Sequence, residues 1–134
     1  MSIKGKRIFI VEDNAYNLSI TTAFLELGEA VVQYERWNFD SLDRLIAFAP
    51  DLILLDMNLG KKTSGEDVFE KIKQTPELAN SKVVAVTASD TATMIRLREK
   101  GFDGFIGKPI FPNFASHVND VLNGKSVWIP SSNM

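Results

Sequence analysis

The sequence predicts an α/β domain built on one five-stranded parallel sheet that helices cover on both faces. Two observations lead to this prediction. Five short apolar runs alternate along the chain with segments whose apolar residues recur at helical spacing. The runs are apolar at nearly every position, which is typical of strands buried on both faces of a parallel sheet. Each intervening helix can then serve as the crossover between parallel neighbours.

The chain opens with a strand over Arg7 to Val11 and a helix from about Ala15 to Leu27. Asn14 is a suitable N-cap for this helix, and Gly28 is a suitable end to it. Apolar residues at helical spacing predict a single buried face on the helix. We expect that face to consist of Ile20, Ala23, Phe24 and Leu27.

The second strand, over residues 30–35, is more polar, and we expect it at an edge of the sheet. A helix over residues 37–48 follows, and Pro50 closes it. The third strand, Leu52 to Leu55, consists of four large apolar residues and ends directly at the carboxylate of Asp56. Its composition is that of a strand buried on both faces.

The next alternation begins at Ser64, which can cap a helix that runs to about Lys73. The fourth strand, over residues 82–86, has Thr87 at its end, and a helix over residues 91–100 follows.

A short fifth strand, over residues 104–107, delivers Lys108. The last helix, over residues 111–122, is expected to bury one apolar face. We expect that face to comprise Phe111, Phe114, Val118, Val121 and Leu122. The tail that follows contains Trp128, which we expect to pack back on the domain rather than bind a partner.

Composition limits the class of protein. A chain of 134 residues is expected to form one domain, which we place at residues 1–124, with a C-terminal tail over residues 125–134. The formal net charge of −2 gives no sign of a nucleic-acid-binding surface. The absence of cysteine excludes disulfides and thiolate metal sites. No apolar run approaches the roughly 20 residues of a membrane helix and no signal peptide is recognisable, so we expect a cytoplasmic location and no membrane partner.

Polar side chains follow four of the five predicted strands. The first strand is followed by Glu12 and Asp13, the third by Asp56, the fourth by Thr87 and the fifth by Lys108. Because the carboxyl ends of parallel strands lie at one edge of a sheet, we expect these side chains to converge where open α/β sheets bind ligands. Taken alone, Asp56 could equally be a helix-capping or turn residue.

The charges of this group predict a metal site. Two carboxylates about 5 Å apart repel by roughly 3 kcal/mol at an effective dielectric constant near 20, and one lysine does not balance three carboxylates. Oxygen ligands without nearby histidine or cysteine favour a hard cation, and Mg²⁺ fits because it accepts few protein ligands and keeps water. Glu12 and Asp13 can both face the site only if the chain already turns there, since adjacent strand residues point to opposite faces.

With such an ion bound, Asp56 is a candidate nucleophile toward phosphorus, because carboxylates can form acyl phosphates. Lys108 would then supply an ammonium group, and Thr87 a hydroxyl donor, to the phosphoryl oxygens.

Four motifs resemble, in order and spacing, the receiver domain of two-component response regulators, and the resemblance covers about residues 6–122. The resemblance implies a flavodoxin-like fold with five helices and the strand order 2-1-3-4-5. Within the family the chain looks similar to single-domain regulators of the cell-cycle type. The motifs are Ile-Val-Glu12-Asp13-Asn, Leu-Leu-Asp56-Met-Asn58, Val-Thr87-Ala88 and Lys108-Pro109.

The same resemblance implies that Asp56 accepts a phosphoryl group from a histidine kinase or a phosphotransfer protein. Asp13, Asp56 and the backbone carbonyl of Asn58 would bind Mg²⁺, with Glu12 acting largely through water. The chain would have no enzyme activity beyond its own phosphorylation and dephosphorylation.

Phe105 matches the aromatic switch position of the family, with a plain core residue as the alternative. In the family, phosphorylation draws the hydroxyl of the Thr87 position inward and the ring follows. This movement remodels the face made by the fourth helix, the fifth strand and the fifth helix, which would contact a downstream protein. Lys108 would touch the phosphate, and the Lys108–Pro109 peptide would be cis.

The loop after Asp56 departs from the family pattern, with Gly60 where proline is usual and one residue more before Gly65. This departure keeps open a second hypothesis, a receiver-fold adaptor that binds its partner without phosphorylation. A third hypothesis is a Mg²⁺-dependent aspartyl phosphatase. Such an enzyme would need a second acid two residues after its nucleophile, where this chain has Asn58.

Overall fold

The computed structural model describes residues 2–36, 39, 41–60 and 63–131. One parallel sheet lies between two layers of helices. The elements are β1 (Arg7–Val11), α1 (Ala15–Leu27), β2 (Val31–Glu35), α2 (Asp43–Phe48), β3 (Leu52–Leu55), α3 (Gly65–Lys73), a 3₁₀ turn (Pro76–Leu78), β4 (Lys82–Thr87), α4 (Thr91–Lys100), β5 (Gly104–Gly107), α5 (Phe114–Leu122) and β6 (Val127–Ile129).

The strands follow the order β2-β1-β3-β4-β5-β6, and all neighbours are parallel. The order of the first five strands and the edge position of β2 are confirmed. The direction in which strands are added reverses beside β1, where β2 lies on one side and β3 on the other. Such a reversal opens a crevice beyond the carboxyl ends of these strands, which is where open α/β sheets bind ligands.

Strand side chains alternate between two apolar clusters, one on each face of the sheet. Phe9 and Ile53 belong to the cluster beneath α2, α3 and α4, whereas Ile8 and Leu52 belong to the cluster beneath α1 and α5. Each such fully buried side chain contributes about 2 kcal/mol through removal of apolar surface from water. Burial on both faces holds β1 and β3 rigidly, and with them the residues just beyond their ends.

Side-chain caps fix the start of three helices, and the caps of α1 and α3 lie at the residues that the sequence predicted. Asn14 and Asp90 each accept a hydrogen bond from a backbone N–H in the first turn, at 2.9 and 2.8 Å. Ser64 and Asp67 form a reciprocal capping box at the start of α3. Three residues separate the end of β1 from the start of α1, and they lie in a short loop at the sheet edge.

The predicted buried face of α1 is confirmed at Phe24, which packs against the apolar cluster beneath α1 and α5, and is wrong at Ala23 and Leu27, which are exposed. Leu27 is 81 % exposed, and the buried residues of the helix are Leu18, Thr21 and Leu25. Thr21 tolerates burial because its hydroxyl donates to the backbone carbonyl four residues earlier, at 2.9 Å. Thr21, whose hydroxyl is hydrogen-bonded within the helix, therefore lies on the buried face, whereas the apolar residues Ala23 and Leu27 are exposed.

Two helices begin later than predicted. The α5 helix starts at Phe114, and Phe111 is 53 % exposed, so its predicted place on the buried face is wrong. Pro112 explains the later start, because the residue before a proline is pushed away from helical geometry. The α2 helix starts at Asp43, and residues 37, 38 and 40 of its predicted range lie outside the described residues. Within the part of the chain that is described, no helix is both long and apolar enough to cross a bilayer.

The sixth strand is an addition to the predicted sheet. It lies in the predicted tail and pairs in parallel with β5, with Trp128 opposite Phe105. Trp128 packs against the apolar cluster on the α4 side, which confirms that this indole packs back on the domain. The strand escaped prediction because three residues are too few for an apolar pattern to be recognised.

Candidate functional site

The site begins where β1 and β3 end side by side. Val11 and Leu55 are partners in the parallel ladder, and the N–H of Asp56 still donates to the carbonyl of Val11 at 3.0 Å. The next residue after β1, Glu12, donates its N–H to the carbonyl of Glu35 at 3.2 Å. These backbone bonds fix Glu12 and Asp56 as neighbours at the carboxyl edge of the sheet.

Three carboxylates converge at this edge. Glu12, Asp13 and Asp56 each place one carboxylate oxygen within 4.8 Å of the other two. Glu12 and Asp56 are buried, at 3 % and 5 % exposure, and Asp13 is half-buried. Both Glu12 and Asp13 reach the site because β1 ends at Val11 and the chain is already turning.

Lys108 enters the same cluster from the end of β5. Its Nζ donates to Glu12 Oε1 at 2.7 Å and to Asp56 Oδ2 at 3.0 Å. Its backbone N–H donates to the carbonyl of Thr87 at 3.0 Å, which ties the ends of β4 and β5 together. The peptide bond to Pro109 is cis, which confirms what the resemblance implied.

Thr87 and Asn58 complete the polar group. Thr87 is fully buried at the end of β4, and its Oγ1 lies 3.5 Å from Asn58 Nδ2. The backbone N–H of Asn58 donates to Asp56 Oδ1 at 3.1 Å. Asn58 therefore links Asp56 to Thr87, and the metal-binding role of its carbonyl stays a prediction.

Phe105 lies apart from this polar group. It is fully buried in β5 and belongs to the apolar cluster that also contains Leu97 and Phe102. Its partners in the ladders are Ala85 and Trp128. The structure thus puts Phe105 in the core next to β4, and its predicted switch role is not tested by this position.

The backbone conformation of the loop after Asp56 explains why position 60 is glycine rather than the proline that is usual in the family. Gly60 has a φ of 101°, a left-handed conformation that proline cannot adopt because its ring fixes φ near −65°. Asn58 and Ser64 form an isolated antiparallel bridge, which closes the loop at its base. Residues 61 and 62, at the tip, lie outside the described residues.

Sequence reasoning missed Arg36, which follows β2 at the same edge of the sheet. Its Nη2 and Nε donate to the backbone carbonyl of Asp13, at 3.0 and 3.3 Å. Arg36 therefore holds the turn that carries Asp13. A signal was present in the sequence, because a polar residue after the second strand fits the pattern of the other four strands.

Burial and mutual repulsion set the protonation of the cluster. Burial, with the hydrogen bond and charge of Asp56, raises the pKa of Glu12 to about 7 from its ordinary 4.5, even though Lys108 opposes the shift. Burial alone would lower the pKa of Lys108, but its hydrogen bonds and ion pairs with Glu12 and Asp56 outweigh burial and raise it. Lys108 is therefore a permanent cation of the site at neutral pH.

The metal-free protein should lose stability as the pH rises from about 5 to 7, by about 3 kcal/mol. The pKa of Glu12 is about 7 in the folded protein against an ordinary 4.5. In this window the folded state therefore holds a proton that the unfolded chain releases, so rising pH favours unfolding. Glu12→Gln should flatten this dependence in urea unfolding with EDTA at several pH values. Glu26→Gln, at an exposed position of α1, should retain it. An unchanged slope in Glu12→Gln would contradict the assignment.

The donor set fits a hard divalent cation. Three carboxylate oxygens lie within 4.8 Å of one another, and the ammonium of Lys108 offsets only part of their charge. Oxygen donors in an open cluster suit Mg²⁺, which keeps several waters when it binds to protein carboxylates. These residues would therefore supply the carboxylate ligands of a bound Mg²⁺.

Comparison with known proteins agrees with this geometry. The family model of the response regulator receiver domain matches residues 8–116. The polar-differentiation response regulator DivK of Brucella ovis is 33 % identical over 119 residues, which cover 87 % of this chain and 96 % of that protein.

Solved structures show the same likeness. The signal receiver domain of a signal transduction histidine kinase from Syntrophus aciditrophicus superposes with a TM-score of 0.74 at 30 % identity, over 90 % of this chain and 92 % of that chain. A response regulator from Desulfuromonas acetoxidans superposes with a TM-score of 0.77 over 88 % of this chain and 97 % of that chain, and at 21 % identity this likeness shows the fold alone. Sequence, topology and the edge cluster thus agree, and the chain belongs to the response regulator receiver domain family of two-component signalling.

Proposed function

We propose that this protein is a receiver that is activated by phosphorylation of Asp56. The phosphoryl group comes from a histidine kinase or a phosphotransfer protein, in the presence of Mg²⁺, and the phosphorylated protein signals through contacts with other proteins. The observation that carries the proposal is the setting of Asp56. Its Oδ2 accepts from Lys108 Nζ at 3.0 Å, and one of its oxygens lies within 4.8 Å of oxygens of Glu12 and Asp13.

The chemistry is a transfer of one phosphoryl group between two proteins. A carboxylate oxygen of Asp56 attacks the phosphorus of a phosphohistidine, the P–N bond breaks, and its electron pair stays on the imidazole nitrogen. The product is an acyl phosphate on Asp56. Lys108 and the hydroxyl of Thr87 would donate to the phosphoryl oxygens and so stabilise their charge.

Mg²⁺ would be held by Asp13, Asp56 and the backbone carbonyl of Asn58, with Glu12 acting through water. When bound, it supplies positive charge to the phosphoryl oxygens. Residues of the chain hold these ligands in position. Arg36 fixes the turn that bears Asp13, and the buried strands β1 and β3 fix the position of Asp56. Because Asn58 offers no general acid or base, we propose that the chain acts on no substrate beyond its own aspartyl phosphate.

Exposed apolar side chains near the cluster support a protein as the phosphoryl donor. Tyr16 is 73 % exposed and Phe111 is 53 % exposed. Tyr16 lines a cleft together with Lys108 and Ile110. Apolar surface beside a charged centre is suited to a protein partner that excludes water from the transfer. The cytoplasmic location stays a prediction.

The test is the mass of the intact protein after incubation with Mg²⁺ and acetyl phosphate or phosphoramidate. We expect the mass of one phosphoryl group to be added, and Asp56→Asn to abolish the addition completely, because an amide is not a nucleophile toward phosphorus. The matched control, Asp120→Asn on α5, should be phosphorylated normally. Absence of the adduct in the unmodified protein would favour the adaptor hypothesis, and rapid hydrolysis of many phosphomonoesters would favour the phosphatase hypothesis.

A further inference from the structure

The C-terminal segment over residues 125–131 closes the edge of β5. Its strand β6 runs parallel to β5, with Trp128 opposite Phe105 and Ile129 opposite Ile106. The edge of β5 lies between α4 and α5, and the resemblance to receiver domains implies that this same face contacts a downstream protein. In this structure the chain therefore covers part of its own predicted output face.

The side chains of β6 alternate between the two helices. Trp128 joins the apolar cluster beneath α4, and the guanidinium carbon of Arg98 lies 5.2 Å from the centre of its ring. Val127 joins the opposite cluster, which contains Val121 of α5. The segment thus packs against the apolar clusters on both faces of the sheet.

Two glycines of β5 make room for this segment. A Cβ on Gly107 would lie 2.1 Å from the backbone nitrogen of Ser131 and 2.5 Å from the carbonyl carbon of Pro130. A Cβ on Gly104 would lie 3.0 Å from the carbonyl oxygen of Val127. Any other residue at position 107 would push the segment away, so the sequence of β5 is matched to the presence of the segment.

The end of the segment reaches the residue that is placed to contact the phosphoryl group. The hydroxyl of Ser131 donates to the backbone carbonyl of Thr87 at 3.2 Å and accepts from the N–H of Ser89 at 3.1 Å. The same carbonyl of Thr87 also accepts the N–H of Lys108 at 3.0 Å. Ser131 therefore bonds directly to the loop between β4 and α4.

We infer that residues 125–131 form a latch over the edge of β5, and that Ser131 couples the release of this latch to phosphorylation of Asp56. The inference rests on the proposed phosphorylation and adds to it a regulatory segment. A phosphoryl group on Asp56 adds acceptor oxygens that draw the hydroxyl of Thr87, and movement of Thr87 displaces the carbonyl to which Ser131 is bonded. Phosphorylation then weakens the hold of the latch.

Linkage requires the converse effect. If phosphorylation favours release of the latch, release of the latch must favour the phosphorylated arrangement by the same factor. The strand of the latch, β6, is a three-residue edge strand whose residues are only half-buried. Such elements open at low free-energy cost, so the latch is suited to this role. One hydrogen bond of ordinary strength corresponds to about a fivefold change in an equilibrium.

The first measurement uses Trp128 as a reporter in the full chain. The sequence contains two tryptophans, and Trp37→Phe leaves Trp128 as the single indole. With Mg²⁺ and beryllium fluoride, whose tetrahedral complex stands in for the phosphoryl group, we expect the emission of Trp128 to shift to the red and the exchange of amide hydrogens over residues 125–131 to rise. If intact mass shows phosphorylation by acetyl phosphate but emission and exchange stay unchanged, the latch is refuted while the proposed function stands.

The second measurement uses Ser131→Ala, with Ser126→Ala as its matched control in the exposed start of the segment. Without any phosphodonor, Ser131→Ala should raise amide exchange of residues 87–90, because Ser89 loses its acceptor. It should also shift phosphorylation by acetyl phosphate toward the adduct by about fivefold relative to Ser126→Ala. Equal exchange in the two variants would overturn the coupling. Absence of any adduct in all proteins would instead overturn the proposed function, and the latch with it.

Discussion

Replacement of Lys108 by methionine should lower the free energy of unfolding of the metal-free protein by about 3–5 kcal/mol at about pH 8. The Nζ of Lys108 lies between two almost fully buried carboxylates, with side-chain exposures of 4 % for Glu12 and 6 % for Asp56. Methionine keeps much of the length of the side chain and removes its charge. Two buried carboxyl groups then remain next to each other without a cation, and the pKa of Glu12 rises further because Lys108 no longer opposes the effect of burial.

The matched control is Lys100→Met on α4. Lys100 also pairs with two carboxylates, at 3.1 Å from Glu66 and 3.8 Å from Glu70, but its side chain is 32 % exposed. Exposed ion pairs contribute little, so this variant should lose less than about 1 kcal/mol. Urea unfolding with EDTA measures both variants, and Mg²⁺ should restore much of the loss only in Lys108→Met. Similar losses of unfolding free energy in the two variants would show that Lys108 does not stabilise the buried carboxylates at the sheet edge.

Gly65→Ala should destabilise the protein by at least about 3 kcal/mol. A Cβ at this position would lie 2.2 Å from the carbonyl oxygen of Asp56 and 2.7 Å from the Cα of Met57. Both contacts are with backbone atoms of the chain that leaves β3, and neither can rotate away. Relief of the overlap requires α3 to move from the loop that carries Asp56, so phosphorylation should fall together with stability.

Gly101→Ala separates this steric effect from backbone strain. Gly101 has a φ of 110°, and a Cβ on it would have no atom of the described residues within 4 Å beyond its own chain neighbours, so alanine there suffers strain alone. We expect a loss of about 1 kcal/mol, the usual cost of a left-handed conformation for a residue with a Cβ. Thermal and urea unfolding compare the two variants, and an equal loss at both positions would contradict the close approach of α3 to Asp56.

The strands of the centre of the sheet could be predicted because their environment is uniform. Leu52 to Leu55 are buried on both faces, so every position must be apolar and the pattern is plain. The α1 helix lies at the surface, where a threonine with an internal hydrogen bond can replace an apolar residue on the buried face. The β6 strand depends on partners far away in sequence, such as Arg98 and Phe105, which no local pattern reveals.

The convergence of the candidate site could be predicted from topology alone. Parallel strands bring their ends to one edge, so Glu12, Asp56 and Lys108 had to meet once the strands were assigned. The contacts of Arg36 and Ser131 could not be predicted in the same way. Both side chains bond to backbone carbonyls, those of Asp13 and Thr87, and a sequence pattern does not indicate which carbonyl a distant side chain will reach.

The bridge between Asn58 and Ser64 separates the loop tip from Asp56 mechanically. A second backbone bond, from the N–H of Gly65 to the carbonyl of Met57 at 3.0 Å, reinforces the base of the loop. Insertions between these anchors therefore add residues only beyond the bridge and leave the carboxylate of Asp56 in place. The length of this loop can therefore vary without any change in the geometry of the carboxylate cluster beneath it.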